Sequence, residues 1–236
     1  MISLARPDDP NFAILSLAAN ALGELCDAMV FVGGCATGLL VTAVRAQPIR
    51  ATQDVDVIVH AATARQYHAM EAAVAARGFS HDVSPDAPIC RWVRSGLKLD
   101  LMPSEAGVLG FHNRWYPLAM ETAERVQLPA GREIRLISPP VFIATKLEAF
   151  RGRGSRDYLA SHDMEDIITV VDGRSELIEE TRRAGEPLRR YLSEQFTGLV
   201  NTNDFLDSVP GHLPADGASQ QRVPEVIRRL RDLARL

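Results

Sequence analysis

Arg50-Ala-Thr-Gln-Asp54-Val-Asp56-Val-Ile-Val59 is the stretch on which the reading of this chain turns. Its second half is β-branched at almost every position, which predicts a buried strand over Val55–Val59. Side chains alternate across a strand, so Asp54 and Asp56 share one face while Val55 and Val57 enter the core. Their α-carbons are then roughly 6–7 Å apart, near enough to share divalent cations. Hard oxygen ligands at the end of a rigid strand suit Mg²⁺, which keeps water and binds phosphate alongside one or two carboxylates. The other reading of the same pattern is one acid capping a turn and one solvated.

Upstream, Met29-Val30-Phe31-Val32 reads as an inner strand that breaks into a tight turn at Gly33-Gly34, before a short helix over Ala36–Val44. Exposed backbone N–H groups there favour an anion, and Thr37 adds a hydroxyl. Glycine also serves such a turn on steric grounds alone. Downstream, the alternation in Leu97-Lys98-Leu99-Asp100-Leu101-Met102 puts Lys98 and Asp100 on the polar face of a strand. A charge on an edge strand is the alternative. Ser95-Gly96 joins this strand to Cys90–Val93 as a hairpin. A second hairpin is expected for Arg125–Leu128 and Glu133–Ile137 around Pro129-Ala130-Gly131. Helices are expected over Asn11–Leu25, with Asp8 and Asp9 as cap residues, and over Thr63–Arg77, with Thr63 as cap and Gly78 as stop.

After Ser138-Pro139-Pro140 strand signals vanish and Glu/Arg-rich helical stretches dominate. This divides the chain into an α+β half, 1–137, and a helical half, 138–236. The 236 residues, 46% hydrophobic and 24% charged, suit one large domain or two small ones and exclude wholesale disorder. A net charge of -4 argues against coating nucleic acid by bulk charge. Cys26, Cys35 and Cys90 show no CxxC spacing, which predicts a reduced, cytoplasmic setting without a zinc knuckle. The start lacks a secretory signal, and the longest uncharged stretch, Ala28–Val44, is glycine-punctuated and too short to span a membrane.

In order, Gly33-Gly34-Cys35-Ala36, Arg50-x-Thr52-x-Asp54-x-Asp56, Asp100, Lys146 in Ile143-Ala-Thr-Lys-Leu-Glu-Ala-Phe-Arg151, and Ser161-His-Asp163-Met-Glu-Asp166 resemble the polymerase-β-type nucleotidyltransferases. Within that superfamily the chain resembles the AbiEii/MenA-like branch, many of whose members are toxins of toxin–antitoxin pairs. The resemblance spans roughly Phe31 to Arg174. Cys35 stands where serine or threonine often follows the glycines. The long gap from Gly34 to Asp54 is familiar from the AbiEii-like branch. The resemblance implies a polymerase-β-like core, a mixed sheet with flanking helices, followed by a helical C-terminal half. It further implies that Asp54, Asp56 and Asp100 hold two Mg²⁺ ions, and that Asp100 helps deprotonate the attacking hydroxyl. Gly33, Gly34, Thr37, Arg50, Thr52, Lys146 and Asp166 then bind the NTP, Lys146 on its β/γ-phosphates. The acceptor implied is a macromolecule, the tRNA 3′ end or a protein side chain, and the partner a cognate antitoxin.

Two rival functions stay open: nucleotidylation of a small molecule such as an aminoglycoside, and a regulator that binds nucleotide without turnover. A DxD glycosyltransferase fits less well, because its DxD follows a nucleotide-binding βαβ region. Lys98 and Lys146 are the only lysines among 26 Lys and Arg residues, which marks Lys146 as a flexible point charge. On that reading Lys146 faces an open cleft, and its loss leaves thermal stability unchanged. An ordinary surface lysine is the competing reading. Asp163 and Asp166 share a helix face and also complement the helix dipole. His162-Asp163 spells the HD pair of phosphohydrolases, without the further histidines that site requires. Arg222, Arg228, Arg229, Arg231 and Arg235 form either a solvated helix face or a contact for RNA phosphates.

Overall fold

The computed structural model describes residues 8–43, 47–129, 132–153 and 157–236. It is an α+β chain with a mixed seven-stranded sheet and flanking helices. The chain divides into two compact units. The first contains Asp9–Ala36 and Arg50–Ser138, the second Thr37–Ile49 and Pro139–Leu236.

The first unit holds every strand: β1 (Met29–Val32), β2 (Asp54–Val59), β3 (Ser80–His81), β4 (Arg91–Arg94), β5 (Leu97–Pro103), β6 (Glu124–Gln127) and β7 (Glu133–Leu136). Their order is β3-β4-β5-β2-β1-β7-β6. β2 runs antiparallel to β1 and parallel to β5, and β4–β5 and β6–β7 are antiparallel hairpins. β1, β2 and β5 lie inside the sheet and are almost wholly apolar on the face opposite the acids, where Phe31, Val55, Val57, Leu99 and Leu101 are fully buried. The β4–β5 turn has Ser95 at φ 49° and Gly96 at φ 84°, the positive angles of a two-residue hairpin loop. Residues 130 and 131 of the other expected turn, like Val44 of the expected helix, lie outside the described residues.

Three helices belong to this unit: α1 (Phe12–Leu22), α3 (Ala64–Ala75) and α4 (Tyr116–Thr122). α1 ends earlier than its apolar spacing predicts, because Gly23 at φ 62° breaks it into a 3-10 turn over Gly23–Ala28. Asp9 does not cap α1 directly. Its Oδ1 accepts the Asn11 N–H, and Asn11 is the N-cap residue. α3 opens with a capping box in which the Thr63 hydroxyl and the Gln66 side chain serve each other's backbone N–H. β3 and α4 carry no signal in the sequence reading: one is two exposed residues, the other starts at a Trp-Tyr-Pro rather than a polar cap.

The second unit contains α2 (Thr37–Leu40), α5 (Pro139–Arg153), α6 (His162–Gly173), α7 (Leu177–Arg183), α8 (Glu186–Val200), α9 (Asn203–Ser208), α10 (Gly217–Gln220) and α11 (Val223–Leu233). α5 packs on α6 and α8, and α11 on α8 and α6, around Phe142, Ile167, Leu192, Phe196, Val226 and Leu230. The sequence divides at a single point, but Thr37–Ile49 belongs here. Thr42 and Ala43 donate their N–H groups to the Gly173 carbonyl at 2.9 and 2.8 Å, and Arg174 donates to the Leu40 carbonyl at 2.8 Å. The helix expected over Ala36–Val44 is correspondingly short: a 3-10 turn at Gly34–Ala36, then one turn of α2.

Of the five C-terminal arginines, Arg222 and Arg229 contact α6. Arg229 donates to the Val171 and Asp172 carbonyls at the C-terminal end of α6, where orphan acceptors need donors. Arg222 pairs with the buried Asp172 at 3.1 Å, and Arg228 with Glu225 and Asp232 on its own helix. No helix among the described residues is long and apolar enough to cross a membrane.

Replacing Thr63 by Ala removes half of the α3 capping box. Urea unfolding is expected to show a loss of about 1 kcal/mol.

Candidate functional site

The site is built on the β2–β5 pair. Its parallel register sets Asp54 opposite Lys98 and Asp56 opposite Asp100. Paired residues on neighbouring strands share a face about 4.8 Å apart, so all three acids and Lys98 stand on one side of the sheet. β4 adds Arg91, the register partner of Asp100 across the hairpin.

Arg91 organises the cluster. Its Nε and Nη2 donate to Asp100 Oδ1 and Oδ2 at 2.7 and 2.8 Å, and Nη2 also donates to Asp54 Oδ2 at 2.6 Å. The guanidinium is 15% exposed, Asp100 10% and Asp54 35%. These hydrogen bonds, that to Asp100 foremost, push the Arg91 pKa up, so it stays charged. The local field is negative as well: the Cys90 thiol is pushed up to about 12, first by burial and then by Asp100 and Asp56. The fork geometry of arginine matches a carboxylate in a way that a single ammonium cannot.

Asp56 is held from the other side. Gly33 follows β1 at φ 73°, and a Cβ there would lie 1.8 Å from Asp56 Oδ2. The Gly-Gly turn therefore makes room for a carboxylate of the cluster, a reason for glycine beyond the turn itself. The approach to β2 is fixed by Asn11, which is 1% exposed. Its Nδ2 donates to the Arg50 carbonyl and its Oδ1 accepts the Thr52 N–H, both at 2.9 Å. The Thr52 hydroxyl bonds the Asp54 carbonyl at 3.3 Å. Arg50 and Thr52, expected at a nucleotide, stand at the entry to the acidic strand, where the Arg50 carbonyl and the Thr52 N–H are held by Asn11.

The remaining expected residues lie in the second unit. Thr37 opens α2 there, with a hydroxyl that is buried and makes no hydrogen bond. Lys146 on α5 does not face an open cleft. Its side chain is 11% exposed and reaches Asp166 at 2.6 Å and Asp163 at 3.4 Å, with the Phe142 ring 5.7 Å away. Asp163 also takes Arg153 at 2.7 Å. Ser161 caps α6 as its sequence suggests, accepting the Met164 N–H, but Asp163 and Asp166 are buried, not solvated near the helix terminus. His162 points the other way, 67% exposed and 3.1 Å from Glu165, so the HD pair is split between two environments.

The donor set of Asp54, Asp56 and Asp100 is three hard carboxylates on one rigid face, which fits Mg²⁺. Among the described residues no three His, Cys, Asp or Glu side chains are gathered closely enough to hold a metal as they stand. In this cluster Arg91 Nη2 lies 2.6 Å from one oxygen of Asp54 and 2.8 Å from one of Asp100. The sequence reading missed Arg91 and Asn11. Arg91 was legible, because a two-residue turn at Ser95-Gly96 fixes a register that sets it opposite Asp100.

Comparison with protein-family models gives no match, and neither does comparison with curated proteins.

Two predictions follow from this geometry. Gly33→Ala forces a side chain into a left-handed backbone and into Asp56. Thermal and urea unfolding should show a loss of about 1–3 kcal/mol from backbone strain, with the collision adding to it. Lys146→Met leaves Asp163 and Asp166 buried with less compensation. It should cost up to about 3 kcal/mol in urea unfolding, against the unchanged stability expected from the sequence, and adding Asp166→Asn should restore part of the loss.

Proposed function

We propose that the chain is a Mg²⁺-dependent nucleotidyltransferase that moves an NMP from an NTP to an acceptor hydroxyl. The observation that carries this reading is the β2–β5 register, which sets Asp54, Asp56 and Asp100 on one sheet face beside the Gly33 turn. Two further points support it. The acids come from the rigid interior of a sheet, where a constellation can be held to small tolerances, and two of them, Asp54 and Asp100, already accept hydrogen bonds from a positive side chain, Arg91.

In this mechanism Asp54, Asp56 and Asp100 would hold the metal ions. Bound there, the metals supply charge stabilisation at the α-phosphate and at the departing pyrophosphate. The acceptor oxygen attacks the α-phosphorus as the bond to the β-phosphate oxygen breaks, and pyrophosphate leaves. The Asp100 carboxylate accepts the acceptor's proton. Gly33 and Gly34 let the triphosphate approach backbone N–H groups. Lys146 is committed to the buried Asp166 and joins α5 to α6 within the second unit.

The acceptor favoured by the sequence resemblance is a macromolecule, the tRNA 3′ end or a protein, with the chain acting as a toxin held by an antitoxin. Small-molecule nucleotidylation of the aminoglycoside type remains the second reading, supported by the net charge of -4. A regulator that only binds nucleotide is disfavoured by the presence of all three acids.

Incubating the protein with α-labelled NTPs, Mg²⁺ and cell extract should transfer label to RNA or protein. Asp56→Asn should reduce that transfer at least a thousandfold while the circular-dichroism spectrum is retained. Label in neither macromolecules nor small molecules, across all four NTPs, overturns the proposal.

A further inference from the structure

Arg91 has a feature that a simple structural clamp does not require: it occupies the coordinates of the charge that the acids would otherwise need. Three carboxylates on one sheet face repel one another, and neutralising them takes a cation. Arg91 supplies it with three hydrogen bonds to Asp54 and Asp100, from a side chain 15% exposed. Its Nη2 is 2.6 and 2.8 Å from one oxygen of each acid. A Mg²⁺ bound by the same two oxygens needs about 2.0–2.1 Å to each. The ion and the nitrogen cannot occupy that position together, and two cations held there would also repel.

We propose that Arg91 is the resident counter-cation of the metal-free site, and that divalent metal binds by displacing its guanidinium from Asp54 and Asp100. This rests on the metal-binding premise of the nucleotidyltransferase reading and adds a regulatory element to it. The carboxylates are preorganised without metal, at the cost of metal affinity, because the metal must first break charge-assisted hydrogen bonds. The displaced fork stays anchored on β4 next to Asp100, and its five N–H donors are then available to an anionic triphosphate entering with the metal.

A permanent clamp and a displaceable counter-cation predict opposite changes in metal affinity. The test uses the full chain and Mn²⁺ as probe, with binding followed by electron paramagnetic resonance of free Mn²⁺ and melting curves recorded with and without the ion. Arg91→Met keeps the apolar stem and removes the charge. It should bind Mn²⁺ at least about tenfold more tightly than wild type, the scale of one hydrogen bond between charged groups. Its metal-free melting temperature should fall, and Mn²⁺ should raise it by more than in wild type. Arg91→Lys, which retains charge but loses the fork, should fall between the two and serves where Arg91→Met does not fold. Unchanged or weaker Mn²⁺ binding in the folded Arg91 variants, with binding lost in Asp56→Asn, overturns the displacement proposal and leaves the metal site standing. Absence of Mn²⁺ binding in wild type and in the Arg91 variants overturns both.

Discussion

Everything in the acidic cluster depends on one register, the parallel pairing of β2 with β5 that seats Asp56 beside Asp100. A parallel pair in the middle of a sheet is buried on its apolar face and cannot slip by one residue without turning Val55, Val57, Leu99 and Leu101 outward. The same hydrophobic burial that fixes the strands therefore forces like charges together on the opposite face. The structure meets that repulsion with Arg91 and accommodates Asp56 with the missing side chain of Gly33. Core packing thus sets the electrostatics of the site.

The second unit solves a related problem differently. Asp163 and Asp166 are buried at 1% and 2% exposure on a helix whose first turn would ordinarily be solvated. Lys146 and Arg153 compensate them, and Arg222 does the same for Asp172. Buried pairs of this kind contribute little net stability, because desolvation offsets the attraction, but breaking one is costly. They join α5 to α6 and the start of α11 to the end of α6. Of the C-terminal arginines, Arg222 and Arg229 are committed to Asp172 and to the carbonyls ending α6.

For function, the relevant contrast is accessibility. Asp54 is 35% exposed, whereas Asp100 is 10% exposed and Lys146 11%. Of these groups Asp54 is the one most open to a substrate. Lys146 joins α5 to α6 through Asp166 and Asp163.

The sequence by itself determined the apolar strands, the paired acids, both hairpins and the change to helices after Ser138, since these rest on local periodicity and turn chemistry. Even the opposition of Arg91 and Asp100 was contained in a two-residue turn. The tertiary structure alone decided that β5 lies beside β2, that Asp56 rests on Gly33, that Thr37–Ile49 belongs with the helical unit, and that Lys146 is buried. Those facts come from contacts between residues far apart in the chain. A pattern of polar and apolar residues shows which side chains seek burial; it does not show which distant partner will cover them or neutralise their charge.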